Sequence, residues 1–432
     1  MKNNYEIAQY AIEALKKAGA DHAQCIVYKG KSDELNVDGG KFSLMRSTFD
    51  TSISMKAIKD SKKGVVAINQ VDKAAIDKAA ADCIAAAESS VADEAEQIAP
   101  FTEKAEYKTG IFKPDRDKLF DRIEEFLEQT AQEFPRVMLE QLTSSFKHSN
   151  ELYMNSNGTA ISHECGSYSF YTMFSAHEGE KTSSFNGYYC VTDNLEKPFM
   201  DLGVQRMLLE DCEKQLETVS PEEKFVGKVI YSPDCFCDLL NTAIRNFIST
   251  SVLIDGTSPW KDSLNTKVAC ETLNVRSVPI DERAVAAERF TNDGYPVENM
   301  DIIKDGVLKT FILSQYGANK TGFPRSLNSG RNLEVLPGDI PLEEMIKGID
   351  KGLIVNRFSG GEPSINGDFS GVAKNSFIIE NGKIGSAVSE TMISGNIIDM
   401  LNNIVAISKE QVTDGTTFMP WVEFDGVTVS GK

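Results

Sequence analysis

The chain has 432 residues, of which 41% are hydrophobic and 25% are charged. This length and composition are ordinary for a globular protein with two or three domains. The net charge of −19 argues against direct binding to DNA, RNA or anionic lipid, because those surfaces are themselves negative. No apolar run approaches the roughly 18–20 residues that a membrane-spanning helix needs.

The eight cysteines are scattered singly along the chain, except for Cys235 and Cys237. This distribution is typical of free thiols in a reducing compartment and not of a disulfide framework. The first residues lead directly into an amphipathic helical pattern and do not resemble a signal peptide. We therefore expect a cytoplasmic protein.

Residues 1–217 predict a mixed α+β domain. Helical periodicity of apolar residues marks four segments: 4–18, 73–89, 116–134 and 201–216. Strand patterns occur between these helices: 23–29, 34–37, 52–58, 65–68 and much of 137–192. The polar segment 92–113 is predicted to run along the surface, and 218–225 is predicted to link this domain to the second one.

The centre of the sequence, residues 229–247, predicts a short strand, a turn and a helix over 233–249. Ser232 is the predicted cap of this helix and Pro233 its first residue. One stripe of the helix is apolar: Phe236, Leu239, Leu240, Ala243, Ile244 and Phe247. Neutral polar side chains lie outside this stripe: Asn241, Thr242 and Asn246. Amides and hydroxyls form hydrogen bonds but do not ionise near neutral pH, so these positions supply no acid or base.

Residues 226–432 predict a second domain that is rich in strands and glycine. Shorter elements are predicted within it: helices at 341–349 and 395–405, strands and turns at 249–257, and a strand pair at 418–430 that turns at Asp425-Gly426. Glycines inside strands mark bends, so we expect a barrel-like or strongly curved sheet. The fold class is therefore α+β.

Four histidines provide little material for a metal site. His163 and Cys165 share one face of a predicted strand, and with His177 they would supply soft zinc ligands if the three met across a hairpin. We favour the alternative that they are ordinary surface or sheet-edge residues. His163 and Glu164 begin like a zinc-binding helix, but no second histidine follows at the required spacing.

Cys235 and Cys237 fall in the first turn of the central helix, where the helix dipole would lower a thiol pKa. A spacing of two residues does not place them side by side on a helix, and no histidine is near them in sequence. We therefore favour buried small hydrophobic residues over a reactive thiol pair.

Other chemical motifs are weak. Acidic neighbours such as Asp281 and Glu282 are typical of solvated surfaces in a chain with 64 acidic residues. The glycine-rich runs lack the strand-loop-helix context of a phosphate loop, and the sequence has no Gly-x-Ser-x-Gly elbow. The residues by themselves predict no self-sufficient catalytic site.

Several motifs, concentrated after residue 290, are similar to those of one protein family. They are TNDGYP (291–296), IKDGVL (303–308), GDFSG (367–371), FIIENGK (377–383) and ISGNIIDMLNNIV (393–405). Through these motifs, and over essentially its whole length, the chain resembles the TldD/PmbA family, also called TldD/TldE and once labelled modulators of DNA gyrase. The last motif is similar to the PmbA (TldE) branch.

The family's TldD branch is a metallopeptidase. Its helix carries His-Glu, three further residues and then His, and a cysteine near the C-terminus completes the metal site. The resemblance places these four roles on Asn241, Thr242, Asn246 and Ile397. Zinc needs about three protein ligands and a glutamate base, which amides and an isoleucine do not provide. The resemblance therefore implies vestigial metal positions, with no metal or other cofactor in this chain.

The same resemblance implies that Arg245, Ser394 and Asn396 line the former metal pocket. It further implies a cytoplasmic protease of two subunits that degrades or processes unfolded or extended peptides. The TldD-like subunit would bear the zinc, and this chain would be the metal-free subunit, inactive alone. Direct binding to nucleic acid or membrane is not expected.

Two alternatives stay open. The chain would be a stand-alone peptide-binding protein without protease activity if it formed a homodimer or larger homo-oligomer and had no TldD-like partner. It would be an enzyme of different chemistry if Cys235 or the acids near Asp281 supported metal-independent turnover.

Overall fold

The computed structural model describes residues 3–221 and 223–431. It contains 24% helix and 41% strand, which confirms the α+β fold class. The strands form one 8-stranded sheet from the first part of the chain and one 14-stranded sheet from the second part. The second sheet curls strongly into a half-barrel, as its glycines predicted.

The first sheet has the strand order β3-β2-β1-β5-β6-β4, with β7 and β8 also paired to β6. Its strands are β1 (His22–Asp38), β2 (Lys41–Lys59), β3 (Lys62–Ile68), β4 (Ala105–Gly110), β5 (Val137–Asn155), β6 (Ala160–Glu178), β7 (Lys181–Thr182) and β8 (Asn186–Thr192). Four helices accompany these strands: α1 (Asn4–Lys17), α2 (Lys73–Ser89), α3 (Arg116–Glu133) and α4 (Gln205–Lys214).

Two predictions for this part of the chain were wrong. The strands predicted at 23–29 and 34–37 form one continuous strand, β1, because β2 and β5 pair with it on its two sides along nearly its whole length. Hydrogen bonding to β2 and β5 thus keeps the backbone of β1 extended through the polar residues that interrupt the alternation of apolar and polar side chains. The segment 92–113 is not only surface chain, since β4 lies within it and pairs in parallel with residues 161–166 of β6.

The second sheet begins at β9 and ends with the last long strand. Its strands are β9 (Thr218–Val219), β10 (Phe225–Tyr231), β11 (Val275–Ser277), β12 (Met300–Lys304), β13 (Val307–Leu308), β14 (Leu333–Val335), β15 (Lys351–Val355), β16 (Arg357–Ser359), β17 (Asp368–Lys374), β18 (Phe377–Glu380), β19 (Lys383–Val388), β20 (Met392–Asn396), β21 (Ile404–Thr413) and β22 (Phe418–Ser430). Its helices are α5 (Pro233–Ala243), α6 (Thr250–Ile254), α7 (Gln315–Thr321), α8 (Leu342–Lys347) and α9 (Ile397–Asn402).

The predicted strand pair at the tail is instead a single strand, β22. This strand pairs with β10 on one side and with β20 and β21 on the other. At Asp425-Gly426 the chain does not reverse; the register with β10 shifts there, and Gly426 has a φ of 78°. Glycine tolerates this conformation, so the turn signal marks a bulge within a strand.

Two short helices replace predicted non-helical segments. Residues 249–257, predicted as strands and turns, contain α6. The chain after residue 310 contains α7, which Ser314 caps by accepting a hydrogen bond from the Gly317 N–H and which Gly322 ends at a φ of 77°. Both helices are too short for hydrophobic periodicity to show them.

The two sheets share a hydrophobic core. One buried cluster joins Phe170 and Tyr188 of the first sheet to Ile230 and Trp421 of the second. The segment predicted as a linker contains β9, which pairs in parallel with the end of β19. The proposed division at residues 217 and 226 stays a prediction. Within the described residues, no helix combines the length and the apolar character needed to cross a membrane.

Candidate functional site

The predicted central helix is present as α5 followed by one π-helical turn over Ile244–Ile248. Ser232 caps it, since its Oγ accepts a hydrogen bond from the Cys235 N–H at 3.4 Å. The predicted apolar stripe is buried: Phe236 packs against Phe424 of the second sheet, and Phe247 packs against Trp260 in the segment after α6. Single π-helical turns often accompany functional sites, and this one includes Asn246.

Two of the predicted vestigial metal positions meet in a small cavity, which we call the apolar cavity. Its volume is about 80 Å³. It is lined by Tyr231, Cys235, Asp238, Leu239, Thr242, Phe358, Pro363, Phe369 and Ile397. Thr242 from α5 and Ile397 from the start of α9 are therefore brought together, although they are far apart in sequence.

Asn246 and Asn396 do not line the apolar cavity but hold the loop over residues 363–368 beside it. The Asn246 amide donates to the backbone carbonyls of Pro363 and Ser364, both at 3.3 Å. The Asn396 amide donates to the Asn366 carbonyl at 3.0 Å and to Asp368 Oδ1 at 2.9 Å. The two asparagines thus tie α5 and α9 to one loop.

The remaining predicted residues lie around this region without lining the apolar cavity. Asn241 is exposed and its amide lies 3.5 Å from Cys237 Sγ. Arg245 is exposed and donates to Thr242 Oγ1 at 3.3 Å. Ser394 lies in β20 between Ser370 of β17 and Thr428 of β22.

The donor set at these positions does not fit zinc. Of the residues lining the apolar cavity, only Cys235 and Asp238 belong to the usual zinc-binding types. In residues 3–221 and 223–431, no group of three or more His, Cys, Asp or Glu side chains is arranged to hold a metal ion. The residues present therefore offer hydrogen bonds and apolar contacts instead of metal coordination.

The zinc-ligand set of His163, Cys165 and His177 was wrong. All three lie on β6 with no turn between them, so His163 and His177 are separated by roughly 45 Å of strand at about 3.3 Å per residue. His163 Nε2 instead lies 2.8 Å from Thr109 Oγ1, and burial lowers the His163 pKa to about 4.

The thiols of α5 behave as the favoured interpretation predicted. Cys235 is buried in the core, and burial raises its pKa well above the usual range. Burial, with Asp238, Asp414 and Asp234 nearby, raises the Cys237 pKa to about 12. Burial and these negative charges outweigh any effect of the helix dipole, so neither thiol is activated as a nucleophile.

The acids near Asp281 have a structural role. Arg283 Nη2 lies 2.8 Å from Asp281 and 2.7 Å from the buried Glu334. The Arg283 hydrogen bond lowers the Asp281 pKa, which keeps the carboxylate ionised and paired. This pairing gives no support to a carboxylate enzyme at Asp281.

Sequence reasoning missed a larger cavity on the neighbouring side of α5, which we call the acidic cavity. Its volume is about 460 Å³. Its lining residues come from β6, β8, α4, α5 and β16 and from the turn after β21: Tyr171, Met173, Phe185, Asn186, Gly187, Tyr188, Tyr189, Leu208, Asp234, Cys235, Cys237, Asp238, Asn356, Arg357, Phe358, Asp414 and Thr417. The spacing of Asp234 and Asp238, four residues apart on a predicted helix, was the available signal.

The carboxylates of the acidic cavity repel one another. Asp234 reaches solvent inside the cavity, but surrounding protein removes much of its hydration. This loss of hydration, together with Asp414 and Asp238, raises the Asp234 pKa to about 6. Burial also raises the pKa of Asp238. The cavity is therefore a site where negative charge is held close together.

Comparison with known proteins identifies the family. The family model described as PmbA/TldA metallopeptidase C-terminal domain matches residues 225–431, and PmbA/TldA metallopeptidase domain 1 matches residues 23–87. The Escherichia coli O157:H7 protein named metalloprotease PmbA is 29% identical over 237 residues, which cover 52% of each chain. This alignment thus spans about half the length of that relative.

Two solved structures have the same fold over nearly their whole length. A Bacteroides thetaiotaomicron protein described as a candidate modulator of DNA gyrase superposes with a TM-score of 0.86 at 23% identity, covering 100% of both chains. TldE from Thermococcus kodakarensis superposes with a TM-score of 0.82 at 19% identity, covering 98% of this chain and 99% of its own. At these identities the structures establish the fold alone. Together with the matching domains in sequence, they show that this chain belongs to the PmbA/TldD family.

Proposed function

We propose that this chain is the metal-free, PmbA/TldE-type subunit of a cytoplasmic metallopeptidase complex that degrades or processes unfolded or extended peptides. A TldD-like partner would supply the zinc and the catalytic base. The chain itself would complete the chamber and contact the peptide. It would have no peptidase activity alone.

One observation carries this proposal: Thr242 and Ile397 meet in the apolar cavity and cannot bind metal there. The two segments to which the resemblance assigns the family's metal site, α5 and the start of α9, border the same cavity. The side chains that would coordinate zinc and activate water are replaced by a hydroxyl and a hydrocarbon. A scaffold that keeps the architecture but not the ligands is expected to act with a metal-bearing partner.

Open strand edges support contact with an extended peptide. In the described part of the chain, β6 is the one strand that pairs with β8, and on the other side the Val191 N–H donates to the Asp414 carbonyl at 2.7 Å. This leaves residues 186–189, which line the acidic cavity, without a second partner strand. A peptide that adds to such an edge gains backbone hydrogen bonds that are largely independent of its sequence. This mode of binding suits the degradation of unfolded chains.

The test is to purify the tagged chain from its own organism and to identify its partners by mass spectrometry. We expect co-purification of a chain with a His-Glu-x-x-x-His helix, together with cleavage of casein that a chelator abolishes and zinc restores. A complex whose partner lacks both histidines is the matched control and should not cleave. Purification of this chain without such a partner, or chelator-resistant cleavage by the chain alone, would overturn the proposal.

A homo-oligomeric peptide-binding protein is the second candidate, and β2 favours it. Residues 41–52 of β2 pair with β1 but have no partner strand on the other side among the described residues. Exposed apolar side chains lie along this stretch: Phe42, Leu44, Met45 and Phe49. An open apolar edge can pair with a second copy or a peptide. A stable self-dimer that binds casein without a partner and does not cleave it would favour this function.

A further inference from the structure

The acidic cavity contains charges that the fold leaves unpaired. Neither Asp234 nor Asp238 forms an ion pair or accepts a hydrogen bond from any described residue. The third carboxylate, Asp414, accepts hydrogen bonds at Oδ1 from the Thr416 N–H at 2.7 Å, the Thr416 hydroxyl at 2.9 Å and the Thr417 N–H at 2.7 Å. This turn fixes the direction of Asp414 but does not neutralise its charge.

The basic residue of the lining does not neutralise these acids either. Arg357 donates through Nη1 to the Phe185 carbonyl at 2.9 Å and forms no ion pair with a described carboxylate. Three carboxylates and one guanidinium therefore face the same cavity. Unpaired charges close together are costly unless a ligand of opposite sign offsets their repulsion.

A buried acceptor provides an independent sign of a missing ligand. Asn356 is only 9% exposed and lines the acidic cavity. Its amide nitrogen donates to Asp211 Oδ2 at 3.3 Å, but its Oδ1 has no hydrogen-bond donor in the described protein. A buried amide oxygen without a donor is unfavourable, so an N–H group that reached it from the cavity would recover this cost.

The remaining walls suit an organic cation with an apolar stem. Five aromatic residues line the cavity: Tyr171, Phe185, Tyr188, Tyr189 and Phe358. Aromatic faces attract ammonium and guanidinium groups and also pack against methylene chains. The volume of about 460 Å³ falls within the range of small-molecule sites. The carboxylates do not converge as a metal site, so a bare metal ion fits less well than an extended cation.

We propose that the acidic cavity is a specificity subsite that receives a lysine or arginine side chain of an extended peptide bound along β8. This inference rests on the proposed function, because it assigns the acidic cavity to the peptide that the chain is proposed to bind. The ammonium or guanidinium group lies among Asp234, Asp238 and Asp414 and donates to Asn356 Oδ1. The aliphatic stem packs on the aromatic walls.

The binding test uses the full-length chain and two unstructured nonapeptides of Gly, Ser, Thr and Val. One has a central lysine and the other has norleucine, which keeps the aliphatic stem but lacks the ammonium group. Fluorescence anisotropy measures both dissociation constants. We expect the lysine peptide to bind about tenfold or more tightly than the norleucine peptide, a preference that falls with added salt.

Single substitutions test which carboxylates of the acidic cavity cause the preference for the lysine peptide. Asp234→Asn and Asp238→Asn keep the side-chain shape and should each weaken lysine-peptide binding by about tenfold, with little effect on the norleucine peptide. The matched control is Asp262→Asn, since Asp262 is exposed and lies outside the cavity. Circular dichroism confirms that each variant is folded. Equal binding of the two peptides, or unchanged lysine preference in both cavity variants, would overturn the subsite.

A second probe separates failure of the subsite from failure of the proposed function. Ligand-observed NMR measures binding of N-acetyl-lysine methylamide and of its norleucine analogue, neither of which can extend along a strand. Lysine-selective binding that Asp234→Asn abolishes supports the subsite even if no nonapeptide binds, in which case the peptide-binding function is wrong. Binding of both nonapeptides without lysine selectivity in either probe leaves the function standing and removes the subsite.

Discussion

The two cavities on neighbouring sides of α5 differ in what their side chains still require. In the apolar cavity, Thr242 and Ile397 form a small space of about 80 Å³ that is bordered by a loop held by asparagines. In the acidic cavity, Asp234 and Asp238 have no counter-charge within the described protein. Asp238 borders both cavities, but only the acidic cavity brings it together with Asp234 and Asp414, so only there do three carboxylates call for a cationic ligand.

This difference teaches that one helix can present neutral, hydrogen-bonded side chains to one side and unpaired carboxylates to the other. At the positions that the family resemblance assigns to metal ligands, the side chains are neutral, and Asn246 uses its amide in hydrogen bonds to the 363–368 loop. The charges kept nearby offer no advantage to folding, because they repel each other. Groups that cost stability without structural benefit are expected at binding sites.

The largest expected effect concerns the buried stripe of α5, the helix that lines both cavities. Phe236→Ala should destabilise the chain by about 3–5 kcal/mol, because it removes a fully buried ring that packs against Phe424. Urea denaturation measures the change. Phe49→Ala is the matched control, since Phe49 is 75% exposed and should change stability by less than about 0.5 kcal/mol. A similar loss of stability in the two variants would show that the buried stripe of α5 does not stabilise the fold.

Placing the family's ligands at the positions that the resemblance assigns to them, two of which lie beside the apolar cavity and not in it, sharpens the comparison. The combined changes Asn241→His, Asn246→His and Ile397→Cys should bind zinc at least about a hundredfold more tightly than the unaltered chain, because they supply three nitrogen and sulfur ligands. Isothermal calorimetry measures the affinity, with Asn241→Gln, Asn246→Gln and Ile397→Val as the control. Tight stoichiometric zinc binding by the unaltered chain would contradict the metal-free proposal.

Asn396→Ala tests the structural use of the asparagines beside the apolar cavity. Asn396 Oδ1 accepts from the Ile398 N–H at 2.8 Å, and its amide holds the 363–368 loop. The change should cost about 1–2 kcal/mol in denaturation, the range for losing a helix cap. Asn292→Ala, at an exposed asparagine, should cost less than about 0.5 kcal/mol. Equal costs would remove the structural role assigned to Asn396.

The acidic cavity should bind cations less well at low pH. Asp234 has a pKa raised to about 6, so it is largely ionised at pH 7.5 and largely neutral at pH 5. Lysine stays protonated over this range, and binding of the lysine peptide should fall by up to about tenfold. Other charged or titratable groups line the cavity: Tyr171, Tyr188, Tyr189, Cys235, Cys237, Asp238, Arg357 and Asp414. If the affinity of Asp234→Asn is the same at both pH values, the effect belongs to Asp234. If the variant loses as much affinity at pH 5 as the unaltered chain does, Asp234 is not the cause.

The smallest expected effect is on stability and has the opposite sign from the effect on binding. The pKa of Asp234 is raised from its ordinary value of 3.8, so folding disfavours the ionised form and stability falls as pH rises from about 4 to above 6. Asp234→Asn should therefore raise the free energy of unfolding at pH 7.5 by less than about 1 kcal/mol, because the carboxylate reaches solvent, and so raise the melting temperature slightly. The melting temperatures of the variant and of the unaltered chain are compared at pH 4.5 and at pH 7.5. A smaller gain of the variant over the unaltered chain at pH 7.5 than at pH 4.5 would contradict this assignment.

Local signals predicted the long helices well. Asn3, Asp72 and Asp115 cap α1, α2 and α3 by accepting backbone hydrogen bonds, and apolar periodicity fixed the buried faces. Strands were harder, because β1 continues through polar residues that only its pairing with β2 and β5 keeps extended. The single strand β22 was missed for the same reason, since its neighbours hold the chain straight past a turn signal.

The candidate site shows the same limit. The neutral character of Asn241, Thr242 and Asn246 was readable from α5 alone, and the contact of Thr242 with Ile397 came only from the family resemblance. Asp414 could not be assigned to the acidic cavity, because it approaches α5 only after β21 and β22 have joined the second sheet. The hypothesis that His163 and His177 meet required a turn between them. The continuous strand β6 has no such turn, so the two residues lie far apart.

The sequence by itself determined the fold class and the buried stripe of α5, because these depend on residue type and local spacing. Only the tertiary structure decided which carboxylates lack partners and which asparagines are used for structure. The physical reason is that charge pairing and hydrogen bonding act over a few ångströms. Residues distant in sequence come within that range only when the two sheets pack around α5 and its neighbours.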